Sequence, residues 1–126
     1  MYSYIKMYNI VFIFISRAFT QDHYESIQNT YMTCISKLTL KYNIDLCFVS
    51  NFDENIKQIY PFLSDANIIK MKNNNQQLTK LCETIKVLDK EYDWYIKIRP
   101  EITFNKSFDC NELFKDCKET CVNSRI

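Results

Sequence analysis

Glycine is absent from all 126 residues. The P-loop, the dinucleotide-binding fingerprint and the glycine-flanked serine elbow all need backbone that only glycine supplies, so none of the three can be built here. Any phosphate group must be held by arginine or lysine side chains or by helix N-termini. Histidine occurs once, as His23, with no cysteine or carboxylate pattern around it that suggests a catalytic triad. A zinc site is poorly supported too, because Cys110, Cys117 and Cys121 lack paired CxxC spacing and His23 is far away in sequence. Neither sign of charge is in excess: 16 basic against 15 acidic residues give +1, well mixed, which leaves no footprint for duplex nucleic acid. No stretch reaches the ~20 apolar residues of a membrane span.

What is present is ordinary for a globular chain. Hydrophobic residues make up 47% and charged residues 25%, enough apolar material for one core. The expected organisation is a single α/β domain over residues 1–126. Of the six cysteines, Cys34, Cys47, Cys82, Cys110, Cys117 and Cys121, most fall on apolar faces of the elements read below. They are read as reduced core residues rather than a disulfide framework.

Tyr8 to Ile15, YNIVFIFI, is a continuous β-branched and aromatic run, the pattern of a strand buried on both faces. The rival reading is a signal peptide with Lys6 in its basic region. Arg17 and Phe19 suit its cleavage site badly, so a retained N-terminus and a cytoplasmic location are expected. From Gln21 to Lys41, Tyr24, Ile27, Tyr31, Cys34, Ile35 and Leu38 recur at helical spacing, with Thr20 as N-cap. Ile44 to Ser50 is a second strand. Asn51 or Asp53 caps a helix through Ile56, Ile59 and Tyr60 that Pro61 ends. Ala66 to Met71 is a short third strand and Asn73 to Asn75 a loop. The next helix presents Leu78, Leu81, Cys82, Ile85 and Leu88 on one face and runs to about Lys90. A last helix starts at a capping box of Asp109 and Glu112 and carries Cys110, Leu113, Phe114, Cys117 and Cys121 on one stripe.

Glu91 to Phe104, EYDWYIKIRPEITF, is the strongest strand signal: Trp94, Ile96 and Ile98 alternate with Tyr95, Lys97 and Arg99. Pro100 withholds a backbone N–H and biases Arg99 toward extended geometry, so the ladder stops there. Alternating strands and helices predict an open parallel sheet. If it is doubly wound in the order 3-2-1-4, the first and fourth strands are neighbours and the ligand crevice lies between their carboxyl ends. Ser16 and Arg17 would then meet Arg99 and Glu101 at one mouth, with Ser50 and Asn51 nearby. The bland alternative for Arg99 and Glu101 is a surface ion pair without function. Lys97 is read as snorkelling to the sheet's edge, and Trp94 and Tyr95 as core.

Gln76-Gln77-Leu78 with Leu81-Cys82, followed by Tyr92 to Glu101 (YDWYIKIRPE), resembles a pattern in glycosyltransferase-like proteins of large DNA viruses, algae and bacteria, where such a helix leads into a strand ending Arg-Pro-Asp. The likeness covers about Asn9 to Phe104. It implies a nucleotide-diphospho-sugar transferase fold of the GT-A-like kind, and, for a viral chain, the host cytoplasm. In that case Arg17, Arg99 and Ser16 bind the nucleotide sugar, with Glu101 on a sugar hydroxyl or a divalent cation (Mn or Mg). Glu101 stands where the family has aspartate, and the second carboxylate of a DxD-type pair is missing unless Asp109 folds back. Two readings follow: a glycosyltransferase-like domain that binds a nucleotide-diphosphate sugar, or a non-catalytic α/β binding module or degenerate remnant of a longer transferase, truncated at its C-terminus.

Overall fold

The computed structural model describes residues 8–52, 65–71 and 76–102. These form a parallel four-stranded sheet in the order β3-β2-β1-β4, with β1 at Asn9–Ile15, β2 at Asn43–Ser50, β3 at Asn67–Lys70 and β4 at Trp94–Ile98. Open, parallel and doubly wound, the sheet is the α/β architecture that the alternation of elements predicts.

β1 sits at the centre because its residues are apolar on both faces. Ile10 to Ile15 are all buried, and the register pairs Phe14 with Phe48 of β2 on one side and with Ile98 of β4 on the other. Alternation along β1 divides the core into two layers. Ile10, Phe12 and Phe14 face one layer, joined by Leu46, Phe48 and Ile98; Val11, Ile13 and Ile15 face the other, joined by Cys47 and Val49.

The helices cover opposite faces, and handedness explains why. The chain moves from β1 to β2 in one direction across the sheet and from β3 to β4 in the other. Right-handed crossovers therefore require the intervening helices to lie on opposite sides. Helix α1 (Gln21–Thr30), a wide π turn (Tyr31–Ile35) and α2 (Ser36–Leu38) bury Tyr24, Ile27, Cys34, Ile35 and Leu38 on the Phe12 face. Helix α3 (Gln77–Val87) and the segment after it place Leu81, Leu88 and Tyr92 on the Val11 face.

Thr20 caps α1 as expected. Its hydroxyl accepts from the His23 N–H, and the Thr20 N–H donates to His23 Nδ1, closing a reciprocal box. The uninterrupted helix expected over Gln21 to Lys41 is instead broken by the π turn. Thr30, the residue before the wide turn, is buried beside the apolar stripe, and its hydroxyl donates to the Ile102 carbonyl at 3.3 Å.

The helix between β2 and β3, the Asn73 to Asn75 loop, and the last helix with Cys110, Cys117 and Cys121 lie outside the described residues. Within them, Cys34, Cys47 and Cys82 are free thiols, the first two buried and the third exposed. Burial pushes the Cys47 thiol up to about 12, so it stays protonated and unreactive. Alkylation of the native protein is expected to modify Cys82 at once and Cys34 and Cys47 only on unfolding. Peptide mapping by mass spectrometry checks this, and rapid native labelling of Cys47 would contradict the packing described.

Candidate functional site

The parallel pairing of β1 and β2 continues one step past both strands. Ser16 N–H donates to the Val49 carbonyl and Asn51 N–H donates to the Arg17 carbonyl, each at 3.0 Å. The carboxyl ends of the two central strands are thus locked side by side, with Arg17 and Asn51 as neighbours. The Ser16 hydroxyl donates to the Ala18 carbonyl at 2.8 Å, and the Ser50 hydroxyl to that of Phe52 at 2.8 Å. These two side chains shape the turns that leave the strands.

On the other side of β1, Arg99 leaves β4 one residue after the Phe14–Ile98 pair. A backbone turn from Arg99 to Ile102, closed by the Ile102 N–H on the Arg99 carbonyl at 3.1 Å, carries Pro100 at its second position. The strand stops where Pro100 predicts. The turn folds Glu101 back onto Arg99, Oε1 to Nε at 2.7 Å, with both side chains well exposed at 48% and 70%. Such a pair contributes under about 1 kcal/mol to stability. Lys97, half-buried on β4 opposite Ile13, is held below the usual lysine range by burial and then by Arg99, with Glu101 pulling the other way.

Strand order therefore brings Ser16, Arg17, Arg99 and Glu101 to one edge of the sheet at two adjacent strand ends. A residue outside that set joins them. Lys80, in the first turn of α3, is only 2% exposed and donates from Nζ to Asn51 Oδ1. Burial and the nearby Arg17 guanidinium hold its ammonium below the usual lysine range. Because α3 follows β3, its first turn lies at the same carboxyl edge as Arg17.

Sequence reasoning passed over Lys80 because it set the inward face of α3 too far round: Leu81 and Leu88 do pack inward, the rest of the expected stripe does not. Leu78, at 71% exposure, points to solvent, as do Cys82 and Ile85, while Lys80 and Thr84 are buried. The four-residue step from Lys80 to Thr84 to Leu88, beside Leu81, was the available signal, and it was outweighed by the larger apolar set. Polar residues can occupy the buried face because each is satisfied: the Thr84 hydroxyl donates to the Lys80 carbonyl at 2.7 Å, and Lys80 to Asn51.

A concavity of about 470 Å³ lies away from this edge, lined by Asp45, Asp65, Asn67, Leu88, Lys90 and Tyr92 near the starts of β2, β3 and β4. Its polar groups secure the loop into β4. Tyr92 donates to Asp45 Oδ2 at 2.6 Å and Lys90 reaches the same oxygen at 3.3 Å. Burial and the bond to Asp45 push the Tyr92 phenol up, so it remains a donor.

Among the described residues no helix is long and apolar enough to cross a membrane, and no group of three or more His, Cys, Asp or Glu could hold a metal ion. No family model, curated protein or solved structure matches the chain.

Proposed function

We propose that the chain is a glycosyltransferase-like domain that binds the diphosphate of a nucleotide sugar at the carboxyl ends of β1 and β4. The observation that carries the reading is the strand order, which makes these two strands neighbours at the reversal point of the sheet, where open α/β folds bind ligands. Arg17 supplies a charge-assisted contact to phosphate that glycine-loop backbone cannot supply in a chain without glycine. Arg99 supplies a second. Glu101, released from Arg99 by the incoming phosphate, then takes a sugar hydroxyl or a divalent cation, Mn or Mg.

Thermal-shift titration with UDP- and GDP-sugars, with and without manganese, tests this. A ligand at 100 times its Kd stabilises the folded state by about 2.7 kcal/mol, an easily read rise in Tm. A rise with one donor class, dependent on manganese and lost in Glu101→Gln, is the expected result. No rise with any donor removes the proposal.

The closed Arg99–Glu101 pair favours a second reading, a non-catalytic binding module or a degenerate relative of a longer transferase. A rise in Tm without release of nucleoside diphosphate from the donor would select it.

A further inference from the structure

A buried lysine is costly to keep unless its charge is balanced. Lys80 is almost fully buried, and among the described residues its ammonium has the Asn51 amide oxygen as hydrogen-bond partner and the Arg17 guanidinium as electrostatic neighbour. Neither cation is in an ion pair with a described carboxylate, whereas Arg99, at the same edge, has Glu101. Two like charges are thus gathered at the ends of the two central strands with nothing described to balance them.

The local backbone holds that arrangement in place. The Asn51 N–H bond to the Arg17 carbonyl fixes the two residues side by side, and the Lys80 bond to Asn51 Oδ1 ties the first turn of α3 to the same point. The first turn of α3 has no acidic residue. The two cations, held at one point, lower the energy of a negative charge placed beside Arg17.

The geometry points to an oxyanion seat, for a phosphate or diphosphate group, formed by the exposed Arg17 guanidinium with the Lys80 ammonium beneath it. Arg17 makes the contact. Lys80, shielded from water, acts on the bound charge through a low-dielectric medium, where a Coulomb interaction is several times stronger than at the surface. Asn51 positions Lys80. The seat deepens the reading given above by adding Lys80 and Asn51, on the β2 side of Arg17, to the phosphate contacts, and it rests on that reading only for what the phosphate is attached to.

Isothermal titration of the full chain at low salt with inorganic pyrophosphate, and separately with UDP- and GDP-sugars, tests the inference. Pyrophosphate is expected to bind saturably. Arg17→Gln and Lys80→Met are each expected to weaken it by about tenfold or more, the loss of one charge-assisted contact or its equivalent. Lys86→Gln, at an exposed lysine paired with Glu83 on α3, is expected to leave affinity unchanged. Arg17 is exposed, so its variant reports on binding even if Lys80→Met does not fold. Pyrophosphate binding that Arg17→Gln weakens, with no binding of either sugar nucleotide, supports the seat and removes the nucleotide-sugar reading. Sugar-nucleotide binding that neither variant weakens removes the seat and keeps that reading. Absence of pyrophosphate binding, or equal losses in Lys86→Gln, overturns the seat.

Discussion

Phe48→Ala is expected to destabilise the protein by about 3–5 kcal/mol, a large share of the ~5–15 kcal/mol that holds a domain folded. Phe48 is fully buried in β2, stacked on Phe14 of β1 at 5.1 Å between ring centroids and met edge-on by Phe19 at 5.8 Å. The three rings join both central strands to the turn that leaves β1, and that turn carries Arg17. Truncation therefore leaves a cavity under the carboxyl edge as well as removing apolar burial. Anion affinity should fall together with stability. Phe52→Ala, two residues beyond β2 and 56% exposed, is expected to change stability by no more than about 0.5 kcal/mol. Urea denaturation of both variants checks the pair. A loss below about 1 kcal/mol for Phe48→Ala would contradict the packing of this layer.

The same residues explain how much of the fold was legible in the sequence. β1 announced itself because a central strand buried on both faces leaves no polar alternation, and β4 because one face of it does alternate and Pro100 ends it. The order 3-2-1-4 entered as a condition on those elements, and the sheet has it, so the Arg17 and Arg99 strand ends meet. The π turn was not legible, since a one-residue widening leaves the spacing of Tyr24, Ile27, Cys34, Ile35 and Leu38 almost unchanged. Helix α3 was misread for an energetic reason. Periodicity assigns the inward face to the most apolar stripe, while this helix turns Lys80 and Thr84 inward: Thr84 bonds the Lys80 carbonyl one turn back, and Lys80 finds Asn51, 29 residues away. Long-range polar satisfaction has no local signature. A violation of apolar patterning that holds a buried cation at the carboxyl edge of a parallel sheet is where function is expected to outweigh stability.

That trade-off sets the expected result for Lys80→Met. Replacing a buried ammonium by an apolar side chain of similar volume removes the cost of keeping that charge out of water, and a gain of about 1 kcal/mol or more is expected for the ligand-free protein at neutral pH. Asn51 loses a donor in the variant, but it is only half-buried and within reach of water. The pH dependence identifies the cause. The ammonium is held below its ordinary value of 10.5 in the folded chain, first by burial and then by Arg17. Between the folded value and 10.5 the unfolded chain binds more protons, so wild-type stability rises with pH through that window. Below the window the full penalty of the buried ammonium is present; above 10.5 it is gone. Lys97 is lowered in the same direction and contributes a similar rise to both proteins. The gain from Lys80→Met should therefore be largest at neutral pH and shrink toward zero as pH approaches 10.5. Saturating pyrophosphate should reverse the order, stabilising the wild-type protein more than the variant, because only the wild type presents both cations to it. Urea denaturation at pH 7 and pH 10, with and without pyrophosphate, reads all four values. A variant less stable than wild type at pH 7, by an amount that does not change at pH 10, would mean that Lys80 is there for packing alone.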